Sequence, residues 1–224
     1  MSNVQVREIK KSNFYLFAKR TMDIISSIFL LIFFFPIIIV IAIAIKLDSK
    51  GPILADTPRR VGKNGKLFKM YKFRSMVENA HEILRENPRY SNLYDVYKKG
   101  SYKLKNDPRI TTVGRFIRKH SLDEIPQALN ILKGEMSLVG PRAYYPDELK
   151  NQQKKYPHTI DSVKIVLSVK PGVTGFWQVS GRSEINFDKR IEMDASCVKK
   201  RSLLYDLWII ARTPWAMISG KGAL

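Results

Sequence analysis

The sequence is poor in several things, and each shortage closes a route. It holds one cysteine, Cys197, so no intramolecular disulfide and no multi-cysteine zinc or iron–sulfur site can form, and a lone thiol suits a reducing compartment. Its three histidines, His81, His120 and His158, stand at no metal-ligand spacing. There is no G-x-x-x-x-G-K-[ST] phosphate loop, no strand-borne G-x-G-x-x-G and no G-x-S-x-G elbow. Gly220-Lys221-Gly222 is too short to replace them, so any nucleotide is held by other means. No internal repeat or low-complexity linker divides the chain. Acidic residues are also scarce: 20 Asp and Glu against 39 Lys and Arg leave a net charge of +19 on 224 residues. Such a balance points to an anionic partner, whether nucleic acid, phospholipid headgroups or a phosphorylated small molecule. Apolar material is plentiful. With 45% hydrophobic and 11% aromatic residues the chain is not compositionally disordered, and its length suits one domain with an accessory segment.

Much of that apolar material is concentrated. Ile24 to Ile45 are 22 residues without a charge, about 33 Å as one straight helix and long enough to cross a bilayer. Pro36 stands near the centre, where it removes a backbone donor and disfavours helical dihedrals at Phe35, so a sharp break is expected there. Both flanks are basic. Arg7, Lys10, Lys11, Lys19 and Arg20 precede the run, and Lys46, Lys50, Arg59, Arg60, Lys63, Lys66, Lys69, Lys72 and Arg74 follow it, a pattern suited to anionic headgroups. Lys and Arg favour the cytoplasmic side, and here both ends claim it. A re-entrant helix broken at Pro36 satisfies both claims, a single-pass anchor satisfies one, and Ala42-Ile43-Ala44 offers a signal-peptidase-like site as a third reading.

The remainder divides the chain into a basic N-terminal segment (1–23), the membrane helix (24–45) and one compact domain (46–224). The class expected is α+β, mainly helical. Ile53 to Arg60 and Leu67 to Phe73 read as strands around Gly62-Lys63-Asn64-Gly65, a hairpin signal. Helices are expected over Val77 to Arg85, Thr111 to Lys119, Leu122 to Lys133 (stopped by Gly134), Pro146 to Tyr156, Phe187 to Lys199 and Ser202 to Ser219, the last bent at Pro214. Gly100 to Pro108 reads as a polar loop and Lys170 to Arg182 as a Gly-rich one. The last helix carries Leu203, Leu204, Leu207, Trp208, Ile210, Ala211, Trp215 and Ile218 beside basic residues, a pattern shared by interfacial and core-facing helices.

Three places could carry chemistry. Ser121-Leu122-Asp123-Glu124 has the spacing of a helix capping box, yet two carboxylates at a helix start near Arg115, Arg118, Lys119 and Arg142 also suit a divalent cation or attack on phosphorus. In Tyr71-Lys72-Phe73-Arg74 the basic residues alternate, so on a strand Lys72 and Arg74 share one face, whether as a solvated edge or as a phosphate contact. Gly172, Gly175 and Gly181 allow close backbone approach, and Trp177, Gln178 and Arg182 offer a ring, an amide and a phosphate fork, or pack on one another.

Taken together, Lys19-Arg20-Thr21-Met22-Asp23, Tyr71 to Met76, Ser121 to Gln127, Leu132 to Arg142 and Lys170 to Arg182 occur in an order that resembles the bacterial sugar transferases, the monotopic phosphoglycosyl transferases that begin polysaccharide assembly. The likeness covers about residues 15–224. It implies transfer of a sugar 1-phosphate from a UDP-sugar to undecaprenyl phosphate, release of UMP, a requirement for Mg2+ and a place on the cytoplasmic face of the bacterial inner membrane. By the resemblance Asp123 is the nucleophile that carries a covalent phosphosugar, Glu124 assists it at the metal, and Lys72, Arg142, Gln178, Arg182, Asp194 and Asp206 surround the substrates. It also implies a re-entrant helix broken at a proline, although the usual preceding Ser is Phe35 here, and the Pro-Arg-Pro turn reads Pro141-Arg142-Ala143. The short N-terminal region suggests the minimal catalytic form, with galactose or glucose as the sugar in exopolysaccharide or capsule synthesis. A nucleic-acid reading helix or aromatic-basic sheet motif is missing, so nucleic acid is not an expected partner. A homo-oligomer is left open.

Overall fold

The computed structural model describes residues 11–99, 104, 106–180 and 185–218. Its helices are α1 (Asn13–Phe33), α2 (Phe35–Asp48), α3 (Ala80–Glu86), α4 (Ser91–Lys99), α5 (Thr112–Lys119), α6 (Gln127–Leu132), α7 (Pro146–Lys155), α8 (Ile160–Leu167), α9 (Phe176–Ser180), α10 (Phe187–Lys200) and α11 (Leu203–Ile218). Strands β1 (Arg60–Val61) and β2 (Leu67–Phe68) pair antiparallel, and β3 (Ser137–Val139) and β4 (Gly172–Thr174) pair parallel. The chain is thus mainly helical with two very small sheets. The expected hairpin forms, but with two-residue strands: Asn64 and Gly65 take positive φ at its tip, and only an isolated bridge, Leu54 to Phe73, continues it. Most of the expected loop Gly100 to Pro108, and Gly181 with Arg182, lie outside the described residues.

Helices α1 and α2 meet at a bend of 61°. The break falls at Phe34, one residue earlier than expected, so Phe35 is helical and Pro36 occupies the first turn of α2, where its missing N–H leaves no intrahelical bond unmade. The Phe34 N–H reaches the carbonyls of Leu30 and Ile32 instead. Among the described residues no single helix is long and apolar enough to cross a membrane; the bent pair meets that test only jointly. Ile25, Phe29, Ile32, Phe33, Phe35, Val40, Ile43 and Leu47 are all exposed on it.

Both ends of the pair are tied to one body. On α1, Lys19 donates to the Val139 carbonyl and the Asp206 carboxylate, and Arg20 donates to the carbonyls of Ile131 and Leu132 at the end of α6. Asp23 Oδ1 accepts from the Leu138 N–H and the Ser137 hydroxyl, each at 2.9 Å, so it fixes α1 to β3. At the far end of α2, Asp48 accepts from the Val113 N–H of α5, and Arg74 gathers the carbonyls of Ile45, Ser49, Lys50 and Pro52. Arg74 thus closes the C-terminus of α2, complementing its dipole. Part of the flanking charge assigned to headgroups is therefore internal: Lys19, Arg20 and Arg74 bind protein oxygens. Lys72 and Arg74 reach different partners, the former the Asp123 and Glu124 carboxylates and the latter the carbonyls that close α2.

The body packs in patches. Leu149 of α7, Val163 and Val166 of α8 and Phe187, Ile191 and Ala195 of α10 form one core with Tyr144. Ile131, Met136, Leu138 and Phe68 form a second beneath Leu30 of α1, and Ile41 and Ile45 of α2 form a third with Phe73, Ile117, Leu122 and Ile125. In α11 the buried side is Asp206 and Ile209, whereas Leu204, Leu207, Trp208 and Trp215 face outward. Most of its broad apolar face is therefore exposed, while Ile210 packs against two core clusters. The helix runs through Pro214. The expected loop over Lys170 to Arg182 instead contains β4 and α9, and its Gly172 and Gly175 approach protein rather than a ligand, since a Cβ on either would stand 2.1–2.2 Å from the Gly140 backbone.

Candidate active site

The continuous helix expected over Leu122 to Lys133 is broken, and the break builds the site. A 3-10 turn, Leu122–Glu124, precedes Pro126, and α6 starts at Gln127. Ser121 is left-handed at φ 55°, and its side chain caps nothing, so the capping-box alternative does not hold. A non-glycine residue at such φ costs about 1 kcal/mol. Past this turn the Asp123 and Glu124 carboxyl groups lie beside Lys72.

Lys72 Nζ lies 2.6 Å from Glu124 Oε1 and 3.5 Å from Asp123 Oδ2. Asp123 is buried and Glu124 half-buried. Burial pushes the Asp123 carboxyl above the usual carboxylate range; Lys72 opposes that shift and Glu124 adds to it. Burial alone would lower the Lys72 ammonium, but Glu124 and Asp123 outweigh it and its pKa is raised, so it stays charged. The clamp behind this group is backbone geometry. Phe73 N–H donates to the Asp123 carbonyl at 3.0 Å, and Tyr71 N–H to Asn130 Oδ1 at 2.8 Å, while Asn130 Nδ2 returns to the Lys69 carbonyl and Glu135. Asn130, fully buried on α6, was not singled out from the sequence; only its polarity inside an apolar helical face hinted at it.

The carboxylates open on a cavity of about 1300 Å³. Ile25, Phe29 and Leu30 of α1, Phe34 at the break, and Ile210, Pro214 and Met217 of α11 give it one apolar wall. Lys72, Asp123, Glu124, Arg118, Arg60 and Arg142 line its charged part. The parallel pair delivers three of the remaining groups. Arg142 follows β3 and Trp177 and Gln178 follow β4, both at strand carboxyl ends, where sheets leave ligand crevices. The Arg142 guanidinium carbon lies 5.5 Å from the Trp177 ring, and Gln178 is fixed by donating to the Val173 carbonyl. Burial works to lower the Arg142 pKa, but Glu148, Tyr144, Tyr145 and Glu124 raise it overall.

Two expected residues stand elsewhere. Asp194 lies behind Arg142, outside the cavity lining: its Oδ2 accepts from the Arg142 N–H at 3.1 Å and the Tyr144 hydroxyl at 3.5 Å, Oδ1 has no partner, and burial pushes its pKa up to about 7. Asp206 belongs to the α1–α11 contact, paired with Lys19 at 2.9 Å and accepting from Tyr15. Arg182 lies outside the described residues. Two carboxylates are what the chain itself offers a cation, since no cluster of three or more His, Cys, Asp or Glu occurs among the described residues.

The carboxylate pair thus stands at the charged end of a cavity that has an apolar helical wall. Residues 14–220 match the bacterial sugar transferase family, and the chain belongs to it. It is 45% identical over 207 residues to the undecaprenyl-phosphate galactose phosphotransferase of Salmonella typhimurium, covering 92% of this chain and 42% of that protein. It is 39% identical over 208 residues to the exopolysaccharide production protein ExoY of Rhizobium meliloti, covering 92% and 88%. The undecaprenyl-phosphate glucose phosphotransferase of Komagataeibacter xylinus is 36% identical over 200 residues, covering 87% and 35%. The chain thus spans about two fifths of the length of the first of these relatives and most of ExoY's.

Proposed function

We propose that the chain transfers a sugar 1-phosphate from a UDP-sugar to undecaprenyl phosphate and releases UMP, in two steps through a phosphosugar carried on Asp123. The observation that carries this reading is the buried Asp123 carboxyl, held beside Glu124 and Lys72 where the charged part of the cavity meets its apolar wall. In the first step an Asp123 oxygen attacks the β-phosphorus, the bond to the bridging oxygen breaks, and UMP leaves with that oxygen. In the second, an oxygen of the lipid phosphate attacks the same phosphorus and the carboxylate is released. Two steps spare the enzyme from aligning two bulky substrates at once. Desolvation makes the Asp123 carboxylate a better nucleophile, Lys72 favours its ionised form against that burial, and Arg142 meets developing charge on the phosphoryl oxygens.

The residues fit a magnesium ion, because Mg2+ is commonly held by one or two carboxylates with the rest from substrate phosphates and water, and Asp123 with Glu124 supplies that pair. The ion would neutralise diphosphate charge when bound. Exposed apolar groups on α1, α2 and α11 support a position at the cytoplasmic face of the membrane, with the α1–α2 pair entering and leaving on one side, since both of its ends are fastened to the same body. The names of the relatives favour galactose or glucose as the sugar and surface polysaccharide as the product.

The test is UMP release across a panel of UDP-sugars with polyprenyl phosphate in detergent. Wild-type protein is expected to release UMP from one or two of them. Asp123→Asn, which keeps size and burial, is expected to remain folded and membrane-bound and to release none; full activity in that variant contradicts the mechanism.

A further inference from the structure

Four described arginines are less than one tenth exposed: Arg60, Arg74, Arg109 and Arg190. Three are compensated. Arg74 holds four carbonyls, Arg109 pairs with Asp107, and Arg190 pairs with Glu148 at 3.2 Å. Arg60 is the exception. Its Nη1 donates to the Ala143 carbonyl at 3.2 Å and its guanidinium lies on the Tyr145 ring at 3.2 Å, but among the described residues its Nε has no partner and no carboxylate is within ion-pair distance. Arg60 nevertheless lines the cavity together with Arg142, whose Nε is also buried without a partner and whose guanidinium likewise pairs with no carboxylate among the described residues. Burial, the largest influence, lowers the Arg60 pKa, and Arg142 lowers it further against an opposing contribution from Tyr145. A guanidinium remains charged regardless. Two desolvated cations on one cavity wall are costly unless an anion completes them.

We propose that Arg60, with Arg142, forms an oxyanion subsite for a phosphate monoester, the group that lies in line opposite Asp123 in each displacement. This rests on the two-step reading above. In-line substitution at phosphorus places the leaving group opposite the attacking oxygen, so the phosphate of UMP departs from that position in the first step. The phosphate of the acceptor lipid attacks from the same position in the second. One pair of guanidinium forks therefore serves two phosphate monoesters in turn. Tyr145 holds the Arg60 plane and Ala143 anchors one nitrogen, leaving Nε and Nη2 for the ligand. Arg60 is a substrate-binding residue that the sequence did not single out, because it stood as one basic residue among many after the apolar run.

The experiment measures UMP binding by competition, and the KM for a short-chain polyprenyl phosphate, in full-length wild type, Arg60→Gln and Arg60→Lys. UMP and the lipid phosphate are separate arms and identify which monoester uses the subsite. Arg60→Gln is expected to weaken one or both by about tenfold or more, with Arg60→Lys intermediate. Unchanged constants in both arms, in variants whose thermal stability matches wild type, overturn the proposal. If Arg60→Gln does not fold, Arg60→Lys with the wild-type comparison of UMP and uridine decides: uridine binding as tightly as UMP overturns an oxyanion subsite. Should wild type release no UMP from any UDP-sugar, the transfer reading fails while the UMP arm still reports on this subsite.

Discussion

Asp194 illustrates how single residues divide the labour at this site. It touches no cavity, yet it holds the backbone of Arg142 through one oxygen and keeps the other buried without a partner, and burial takes its pKa to about 7 from an ordinary 3.8. The folded protein therefore binds this proton more tightly than the unfolded chain. The contribution to stability is full below about pH 4 and is lost as pH rises through 7. Asp194→Asn removes that titration, so its melting temperature relative to wild type should improve between pH 5 and pH 8; a difference that stays constant across this range contradicts the assignment. Ser121 works differently, since its left-handed backbone is what turns a capping sequence into a carboxylate platform. Asp123, Glu124, Lys72 and Arg142 carry their chemistry in their residue types and could be named from the chain. Arg60 and Asn130 could not, because their importance comes from what they lack or bridge in three dimensions.

Among the elements, the parallel β3–β4 pair does most to assemble the site, although it contains only three residues a side. It needs glycine where strands cross: a Cβ on Gly172 would stand 2.1 Å from the Gly140 nitrogen, and the neighbour is backbone. Gly172→Ala is expected to destabilise by about 1–3 kcal/mol through overpacking and to displace Arg142 from Trp177. Thermal melting together with the KM for UDP-sugar checks this, and a variant with wild-type stability and KM rules out the close crossing. The elements that were legible in the sequence are the ones with local signals. Thr112–Lys119 and Pro146–Lys155 carry helical spacing or a proline start, and the hairpin tip carries Asn64-Gly65. The illegible ones are made by distant partners. Ser137 pairs with Gly172 across 35 residues, α4 and α8 had no distinct start signal, and the break before Pro126 was hidden under an apolar pattern that continued through it.

Over the whole molecule the charge of +19 is divided between inside and outside. Lys19, Arg20 and Arg74 fasten the apolar helix pair, and Lys72, Arg142 and Arg60 line the cavity. Exposed basic charge suits an anionic lipid surface at about 1 kcal/mol per basic residue close to it. Fastening both ends of the bent pair to one body predicts that tags at Met1 and Leu224 are both shielded from membrane-impermeant label in intact cells; external labelling of one of them restores a single-pass anchor. In the two-step transfer proposed above, the molecule carries its cargo on Asp123 between a soluble donor and a lipid acceptor. The most direct measurement is the mass of the intact protein after incubation with the UDP-sugar it accepts, without lipid. One added sugar phosphate is expected on the peptide containing Asp123, removed by polyprenyl phosphate and missing in Asp123→Asn. Turnover with no adduct at any time, even in rapidly quenched samples, would contradict it.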